Sequence, residues 1–186
     1  MNQVITSKEA IMQECRRIVS RQGMAALNMR TVARECNIAL GTLYNYYSNK
    51  DDLLIATVES VWKDIFRMDR DNESGIPFPD YVSGIIERVQ AGLVEYPDFF
   101  MAHSVGITST VKGKAKAVKE NCFGHIRRCL TEALHNDPQV SADAFSGTFT
   151  ESDLVDIVFG NILMHLVQGK SDHSALIEVI RRVIYR

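Results

Sequence analysis

The sequence predicts an all-α protein. Apolar residues recur at three- and four-residue spacing along most of the chain, and no stretch shows the apolar–polar alternation of a half-buried strand. Only 4 Pro and 11 Gly occur in 186 residues, which leaves room for long uninterrupted helices. Because 46% of the residues are hydrophobic and 24% are charged, the composition is that of an ordinary globular protein that can bury a core. Fibrous and disordered classes are excluded.

The N-terminal part of the chain predicts short helices with definite ends. Thr6 and Glu9 have the spacing of a capping box for a first helix, which Gly23 ends. Asn28 is suited to cap a second helix, because a short polar side chain can accept a hydrogen bond from the first turn. Asn37 follows this helix, and asparagine tolerates the left-handed backbone of a tight turn.

The rest of the chain predicts longer helices, about nine in all. A third helix starts near Leu40, and Ser48 with Asp51 is expected to cap a long fourth helix that ends before residue 72. Breaks at Pro97, residues 106–110, Pro138 and residues 169–172 separate the helices that follow. Those helices are expected near residues 79–95, 97–104, 111–136, 150–168 and 172–185.

Charge is unevenly distributed along the chain. Residues 1–50 contain seven Lys and Arg against three Glu, a formal charge of +4, whereas the remaining residues contain 14 basic and 20 acidic side chains, a charge of −6. The overall charge of −2 conceals this division. We therefore expect a basic N-terminal domain at residues 1–48 and an acidic, helical C-terminal domain at residues 49–186.

Residues 30–47 form a candidate helix-turn-helix motif, in which the second helix enters the major groove of DNA. Leu43 and Tyr47 are expected to point inward, and Gly41 lets the backbone approach a partner closely. Lys50 lies in the first turn of the fourth helix, where its ammonium and the free backbone amides can hold a phosphate. Four neighbouring side chains give the second helix a polar, hydrogen-bonding face: Thr42, Tyr44, Asn45 and Tyr46.

These residues resemble the DNA-binding head of the TetR family of repressors. The similarity covers residues 11–23 and the segment TVARECNIALGTLYNYYSNKDDLL, residues 31–54. Two departures are present: Cys36–Asn37 stands where the family usually has Ala-Gly, and Leu40 stands where a polar residue is common. The resemblance implies that the following residues contact DNA: Arg30, Leu40, Gly41, Thr42, Tyr44, Asn45, Tyr46 and Lys50.

The same resemblance implies a homodimer that binds a palindromic double-stranded operator, and a repressor that leaves the operator when a small apolar or amphipathic effector binds the C-terminal domain. No cofactor and no enzymatic activity are expected. Large side chains between the head and the C-terminus suit an effector pocket. The candidates are Trp62, Phe66, Tyr81, Phe100, His103 and Phe123.

The last two helices, at about residues 150–185, are apolar on more than one face and so need cover from several sides. Gly160 would permit a close approach between helices. We expect these helices to form a dimer interface with isologous symmetry, as a palindromic operator requires. The residues expected there are Leu154, Val158, Ile162, Leu166, Leu176, Ile180 and Val183.

Two alternatives remain open for the C-terminal domain. Cys122, His125 and Cys129 lie on one helical face and suggest a metal or redox sensor, although at most two of them can share one metal, because residues seven apart in a helix are about 10.5 Å apart. The domain can also serve as the docking surface of a DNA-binding adaptor for a protein partner. An enzyme is disfavoured, since Glu132 and His135 supply only one of the two Glu-x-x-His steps of a di-iron site.

The sequence also favours a cytoplasmic protein. Its longest apolar stretch, residues 154–167, is interrupted by polar side chains and is too short to cross a bilayer, which takes about 20 apolar residues. The N-terminus lacks the pattern of a secretory signal, and the four cysteines show no Cys-x-x-Cys pair.

Overall fold

The computed structural model describes residues 7–66, 75–97, 99, 112–169 and 171–185. Within these ranges the chain is all-α, and the only β pairing is an isolated bridge between Ser146 and Phe149. The sequence-predicted helix at residues 97–104 lies largely outside the described residues. The described helices are α1 (Lys8–Gln22), a 3-10 turn (Met24–Ala26), α2 (Met29–Glu35), α3 (Leu40–Tyr46), α4 (Lys50–Phe66), α5 (Phe78–Glu95), α6 (Lys112–His135), α7 (Glu151–Gln168) and α8 (Ser174–Ile184).

The ends of α1 and the start of α2 follow from single residues. The N-cap of α1 is Ser7, whose hydroxyl accepts a 3.1 Å hydrogen bond from the N–H of Ala10, so the cap predicted at Thr6 is wrong by one residue. Gly23 ends α1 with a φ of 77°, as predicted. The prediction of Asn28 as a cap is also confirmed, because its Oδ1 accepts hydrogen bonds from Arg30 and Thr31 at the start of α2.

The turn between α2 and α3 is a Schellman motif. Asn37 has a φ of 55°, the only positive φ outside glycine among the described residues, which confirms the left-handed turn predicted there. The N–H of Ile38 donates to the carbonyl of Ala33 at 3.0 Å, and the N–H of Asn37 donates to the carbonyl of Arg34 at 3.0 Å. These two bonds fix the direction in which the chain leaves α2 and enters α3.

Capping residues also define the longer helices. Asn49 caps α4, because its Oδ1 accepts from the N–H of Asp52 at 2.9 Å, so the cap predicted at Ser48 is wrong by one residue. Thr150 and Asp153 form a capping box at the start of α7. Gly169 ends α7 in the left-handed conformation, within the break predicted at residues 169–172.

The chain packs as two compact units. The first comprises Met1–Asp64 with Val94–Glu120, and the second comprises Ile65–Leu93 with Asn121–Arg186. In the first unit α1 packs on α2 and α2 packs on α3, around the fully buried side chains of Ile11, Val32 and Leu43. In the second unit α5 to α8 contribute the core, with Phe78, Leu130, Ile162, Ile180 and Ile184 fully buried.

None of the described helices has both the length and the apolar character that crossing a bilayer requires.

Candidate DNA-binding interface

Helix α3 has one buried face and one exposed face. Leu43 is fully buried and Tyr47, directly after the helix, is 4% exposed, so both point inward as predicted. These two side chains anchor α3 on the first unit. On the opposite side the side chains of Leu40 and Tyr44 are 36% and 48% exposed, and Gly41 and Asn45 are also exposed. Thr42 and Tyr46 are half-buried at the edges of this face.

Tyr47 packs at the end of α3 with its hydroxyl buried. Among the described residues its buried hydroxyl has no hydrogen-bond partner, and burial raises the pKa of Tyr47 to about 12. The ammonium of Lys8, at the start of α1, lies 5.6 Å from the centre of the Tyr47 ring, within the range of a cation–π contact. The ring therefore joins the end of α3 to α1 by a cation–π contact.

Gly41 occupies a position where the protein itself does not need glycine. A Cβ built at Gly41 meets no atom within 4 Å, and its backbone is helical without a positive φ. Glycine within a helix costs about 0.5–1 kcal/mol relative to alanine. Since neither internal packing nor backbone conformation explains this residue, the free space above Gly41 is available to a partner.

Five of the seven basic side chains of the head fall into two groups. Arg16 is tied to α4, where it donates to the hydroxyl of Ser60 and lies 3.9 Å from the carboxylate of Asp64. Arg17 and Arg34 pair with Glu14 and Glu35 at 3.0 and 2.9 Å. These three arginines hold or neutralise the head itself.

Arg30 and Lys50 form the second group. Both are exposed, and within the part of the chain that the structure describes neither has an ion-pair partner. Arg30 lies in the first turn of α2 and Lys50 in the first turn of α4. Asp51 and Asp52 share the turn of Lys50 and oppose an anion there. A phosphate bound at this end of α4 would therefore depend on the ammonium of Lys50, because the two carboxylates offset the favourable helix dipole.

The side chains predicted to line an effector pocket belong to different units. Trp62 is in the first unit, where its ring packs edge-on against Phe99 at 5.4 Å between centroids. Phe66, Tyr81 and Phe123 are in the second unit, and Phe123 packs edge-on against Phe159 at 5.3 Å. Phe100 and His103 lie outside the described residues.

The second unit carries an open groove of about 680 Å³ that the sequence pattern did not reveal. Its lining includes Ser83, Glu178 and Arg181, together with residues 171–175. In this groove the hydroxyl of Ser83 lies 2.7 Å from Nε2 of His173. The two residues are 90 positions apart, so no local pattern signals the pair.

The residues predicted to form the dimer interface are largely internal to one chain. Leu154, Val158, Ile162 and Ile180 are at most 2% exposed, and Leu176 and Val183 are half-buried. A side chain without accessible surface has none to offer a second chain, so these four buried residues are core residues. The side chain of Leu166 lies outside the described part of the structure.

The exposed apolar residues lie elsewhere on the same two helices. On α7, Ile157 is 50%, Met164 51% and Val167 76% exposed, and on α8 Val179 is 54% exposed. Gly160 lies on the Ile157–Met164 face, and a Cβ built there meets no atom within 4 Å. The α7 residues repeat every three or four positions, so they form a single apolar stripe.

The cysteine and histidine residues of α6 do not form a three-ligand site. The thiol of Cys129 lies 3.5 Å from Nε2 of His125, and Cys122 is buried. Within the described ranges no three His, Cys, Asp or Glu side chains are arranged to hold a metal ion. In the head, burial raises the pKa of Cys15 to about 12 and that of Cys36 to about 11, which makes both thiols unreactive at neutral pH.

Comparisons with known proteins agree with the geometry of the head. Residues 11–57 match the family model described as "Bacterial regulatory proteins, tetR family". An uncharacterised HTH-type transcriptional regulator of Haemophilus influenzae is 44% identical over 46 residues. The head is thus similar to the DNA-binding head of the TetR family over residues 11–57. The match covers 25% of this chain and 25% of the relative, so it concerns the head alone.

Solved structures show a likeness in fold over nearly the whole chain. The transcriptional regulator FadR of Bacillus subtilis, in complex with stearoyl-CoA, has a TM-score of 0.59 at 16% identity, covering 94% of this chain and 96% of that one. The multidrug binding protein EbrR, complexed with imidazole, has a TM-score of 0.58 at 20% identity, covering 94% and 92%. A TetR-family transcriptional regulator of Haemophilus influenzae has a TM-score of 0.53 at 21% identity, covering 94% of this chain and 92% of that one. At these identities the likeness shows the fold.

Proposed function

We propose that this chain is a TetR-family transcriptional regulator that binds operator DNA with α3 in the major groove. The observation that carries the proposal is the division of α3 into an anchored face, with Leu43 and Tyr47 buried, and an exposed face of polar, aromatic and apolar groups. A recognition helix needs this division, because it must be held rigidly while its outer side chains contact base edges.

Arg30 and Lys50 supply the phosphate contacts in this proposal. They come from the first turns of α2 and α4, the helices that directly precede and follow α3 in the chain. Phosphate contacts position a protein on DNA, whereas contacts with base edges specify the sequence. Arg30 and Lys50 therefore provide affinity for any duplex, and the side chains of α3 provide selectivity.

The regulator acts as a homodimer on a palindromic operator. The apolar stripe of α7 supplies the surface for a second copy, and Gly160 lets two α7 helices approach closely. A two-fold axis brings the same stripe of both chains together. Two heads related by that axis bind half-sites about 34–36 Å apart, one turn of DNA.

A small apolar or amphipathic effector releases the operator in this proposal. Support comes from relatives of the same fold whose structures hold a ligand, stearoyl-CoA in FadR and imidazole in EbrR. An effector shifts the regulator away from DNA only by the difference in its affinity for the two states. The regulator acts as a repressor in this proposal, as the resemblance to TetR-type repressors implies.

The test is fluorescence anisotropy of the full chain with labelled DNA from directly upstream of its own gene, beside a scrambled duplex of equal length and composition. We expect selective binding to the upstream DNA. Between about 50 and 200 mM salt the affinity should fall by a factor of about 10² if Arg30 and Lys50 of both heads neutralise four phosphates, and by more if further basic residues contribute. Equal binding to both duplexes, combined with failure to enrich any sequence from a random duplex library, would refute the proposal.

A further inference from the structure

The exposed face of α3 has a chemistry that limits the bases it can recognise. The helix has the sequence LGTLYNY and so contains no Lys or Arg. Bidentate bonds from Arg or Lys to O6 and N7 are the most common specific contact with guanine. Lys50 and Arg30 lie on the neighbouring helices α4 and α2, at positions suited to phosphates. Helix α3 therefore lacks the usual means of recognising guanine.

Leu40 and Tyr44 form an apolar ridge along this face. They are separated by four residues, which places them on the same side of the helix, and both are well exposed, at 36% and 48%. The isobutyl group of Leu40 can make no hydrogen bond. In the major groove the apolar group that a base presents is the 5-methyl of thymine. Leu40 at the start of the recognition helix is thus suited to pack on a thymine.

Asn45 lies beside this ridge, four residues after Gly41. Its side chain is exposed, and its amide carries both donors and an acceptor, the pattern that pairs with N6 and N7 of adenine. The absence of a side chain at Gly41 leaves open space on the same side of the helix. A base pair can therefore approach the helix backbone at Gly41 and reach the Asn45 amide.

Building on the proposed function, we propose that α3 recognises A·T base pairs in each half-site: a thymine methyl packs on Leu40, and Asn45 binds the edge of an adenine. Leu40 and Asn45 are then the specificity-determining residues of the head. The basic residues outside α3 contribute affinity without choosing the sequence.

The experiment uses the full chain and starts from random-sequence duplexes, so the operator need not be known. Duplexes are selected for binding, and the enriched sequence is remade with uracil for thymine, 7-deazaadenine for adenine or 7-deazaguanine for guanine, one position at a time. Each half-site should contain one thymine whose replacement by uracil weakens binding about fourfold, because the lost methyl contributes about as much affinity as one buried CH₂ group. At one adenine, loss of N7 should weaken binding about fivefold or more.

Two variants assign these effects to side chains. In Leu40→Ala the uracil effect should disappear, and in Asn45→Ala the 7-deazaadenine effect should disappear while sensitivity to uracil remains. Val94→Ala is the matched control, because Val94 is an exposed apolar residue on α5, outside α3. All three sites are exposed, so circular dichroism should show unchanged folding.

The proposal is overturned if 7-deazaguanine weakens binding at some position of the half-site while uracil weakens it at none. It is also overturned if replacing thymine by uracil weakens the binding of Leu40→Ala as much as that of the unmodified chain. Failure to enrich any sequence would instead reject the proposed function itself, and the base preference with it. Enrichment of a sequence without A·T dependence rejects the base preference alone, so the two failures are distinguishable.

Discussion

The carboxylate of Asp137 accepts a 2.7 Å hydrogen bond from the backbone N–H of Phe78, which precedes it by 59 residues. The hydroxyl of Tyr185 and the N–H of Gln139 donate to the same carboxylate. Asp137 is only 5% exposed, so these three donors replace the water that it loses on folding. This one side chain joins the start of α5, the loop after α6 and the end of α8 within the second unit.

Asp137 should make the stability of the second unit sensitive to acid. Burial opposes ionisation of Asp137, but the hydrogen bonds from Phe78, Tyr185 and Gln139 outweigh it and lower its pKa below the usual 3.8. The ionised carboxylate therefore stabilises the fold above pH 3.8, and this contribution is lost as the pH falls through the lower, folded-state pKa. Asp137→Asn should reduce the free energy of unfolding at neutral pH by about 1–3 kcal/mol.

Urea denaturation at a series of pH values tests this expectation. The difference between Asp137→Asn and the unmodified chain should be largest near neutral pH and should shrink in acid. Tyr185→Phe is the matched variant, because it removes one donor and leaves the carboxylate with two. Its effect should be smaller, about 1 kcal/mol. A difference that stays constant down to the acid limit would contradict the assignment.

Lys50→Ala tests the phosphate contact of the head. The variant removes one ammonium from each of the two heads, so it should weaken binding to every duplex and reduce the slope of log K against log salt by about 2. The measurement is anisotropy at several salt concentrations, with operator and scrambled DNA. Lys63→Ala is the control, since Lys63 lies on the same helix and is already paired with Glu59 at 2.9 Å. Equal salt slopes for both variants would show that Lys50 does not contact phosphate.

Gly41→Ala should separate stability from DNA binding. The added methyl meets no atom of the chain, and alanine favours a helix by about 0.8–1 kcal/mol over glycine, so the melting temperature should rise. Affinity for operator DNA should fall, because the methyl occupies the space a base pair needs. Gly124→Ala on α6, where a Cβ would lie an ordinary 3.8 Å from Arg128, should raise stability without changing DNA affinity. Unchanged operator affinity in Gly41→Ala would exclude close approach at this position.

Local signals in the sequence predicted most of the backbone features of the head. The cap at Asn28, the left-handed turn at Asn37 and the inward side chains Leu43 and Tyr47 each depend on near neighbours in the chain, and all were predicted. The caps of α1 and α4 were wrong by one residue because Thr6–Ser7 and Ser48–Asn49 are pairs of adjacent residues that can both cap a helix. The path of the preceding chain into the helix decides which residue of each pair forms the cap.

Tertiary information limited the prediction for the C-terminal part. Apolar residues cover several faces of α7, so the sequence does not reveal which face the chain's own core takes. In the structure Leu154, Val158 and Ile162 are buried in the core, whereas Ile157 and Met164 are exposed. The Ser83–His173 pair and the bonds of Asp137 with Phe78 and Tyr185 join residues that are 48 to 90 positions apart, and such contacts leave no periodic pattern.

The exposed stripe of α7 allows a test of the proposed homodimer, which one added carboxylate per chain should dissociate. Met164 is 51% exposed, four residues after Gly160, so Met164→Glu leaves the core of one chain intact. In a two-fold interface it buries two unpaired carboxylates, each at a cost of about 3–5 kcal/mol. Sedimentation velocity should show a dimer for the unmodified chain and for Val94→Glu, and a folded monomer with weakened operator binding for Met164→Glu. A dimer that persists in Met164→Glu would mean that another surface joins the two copies.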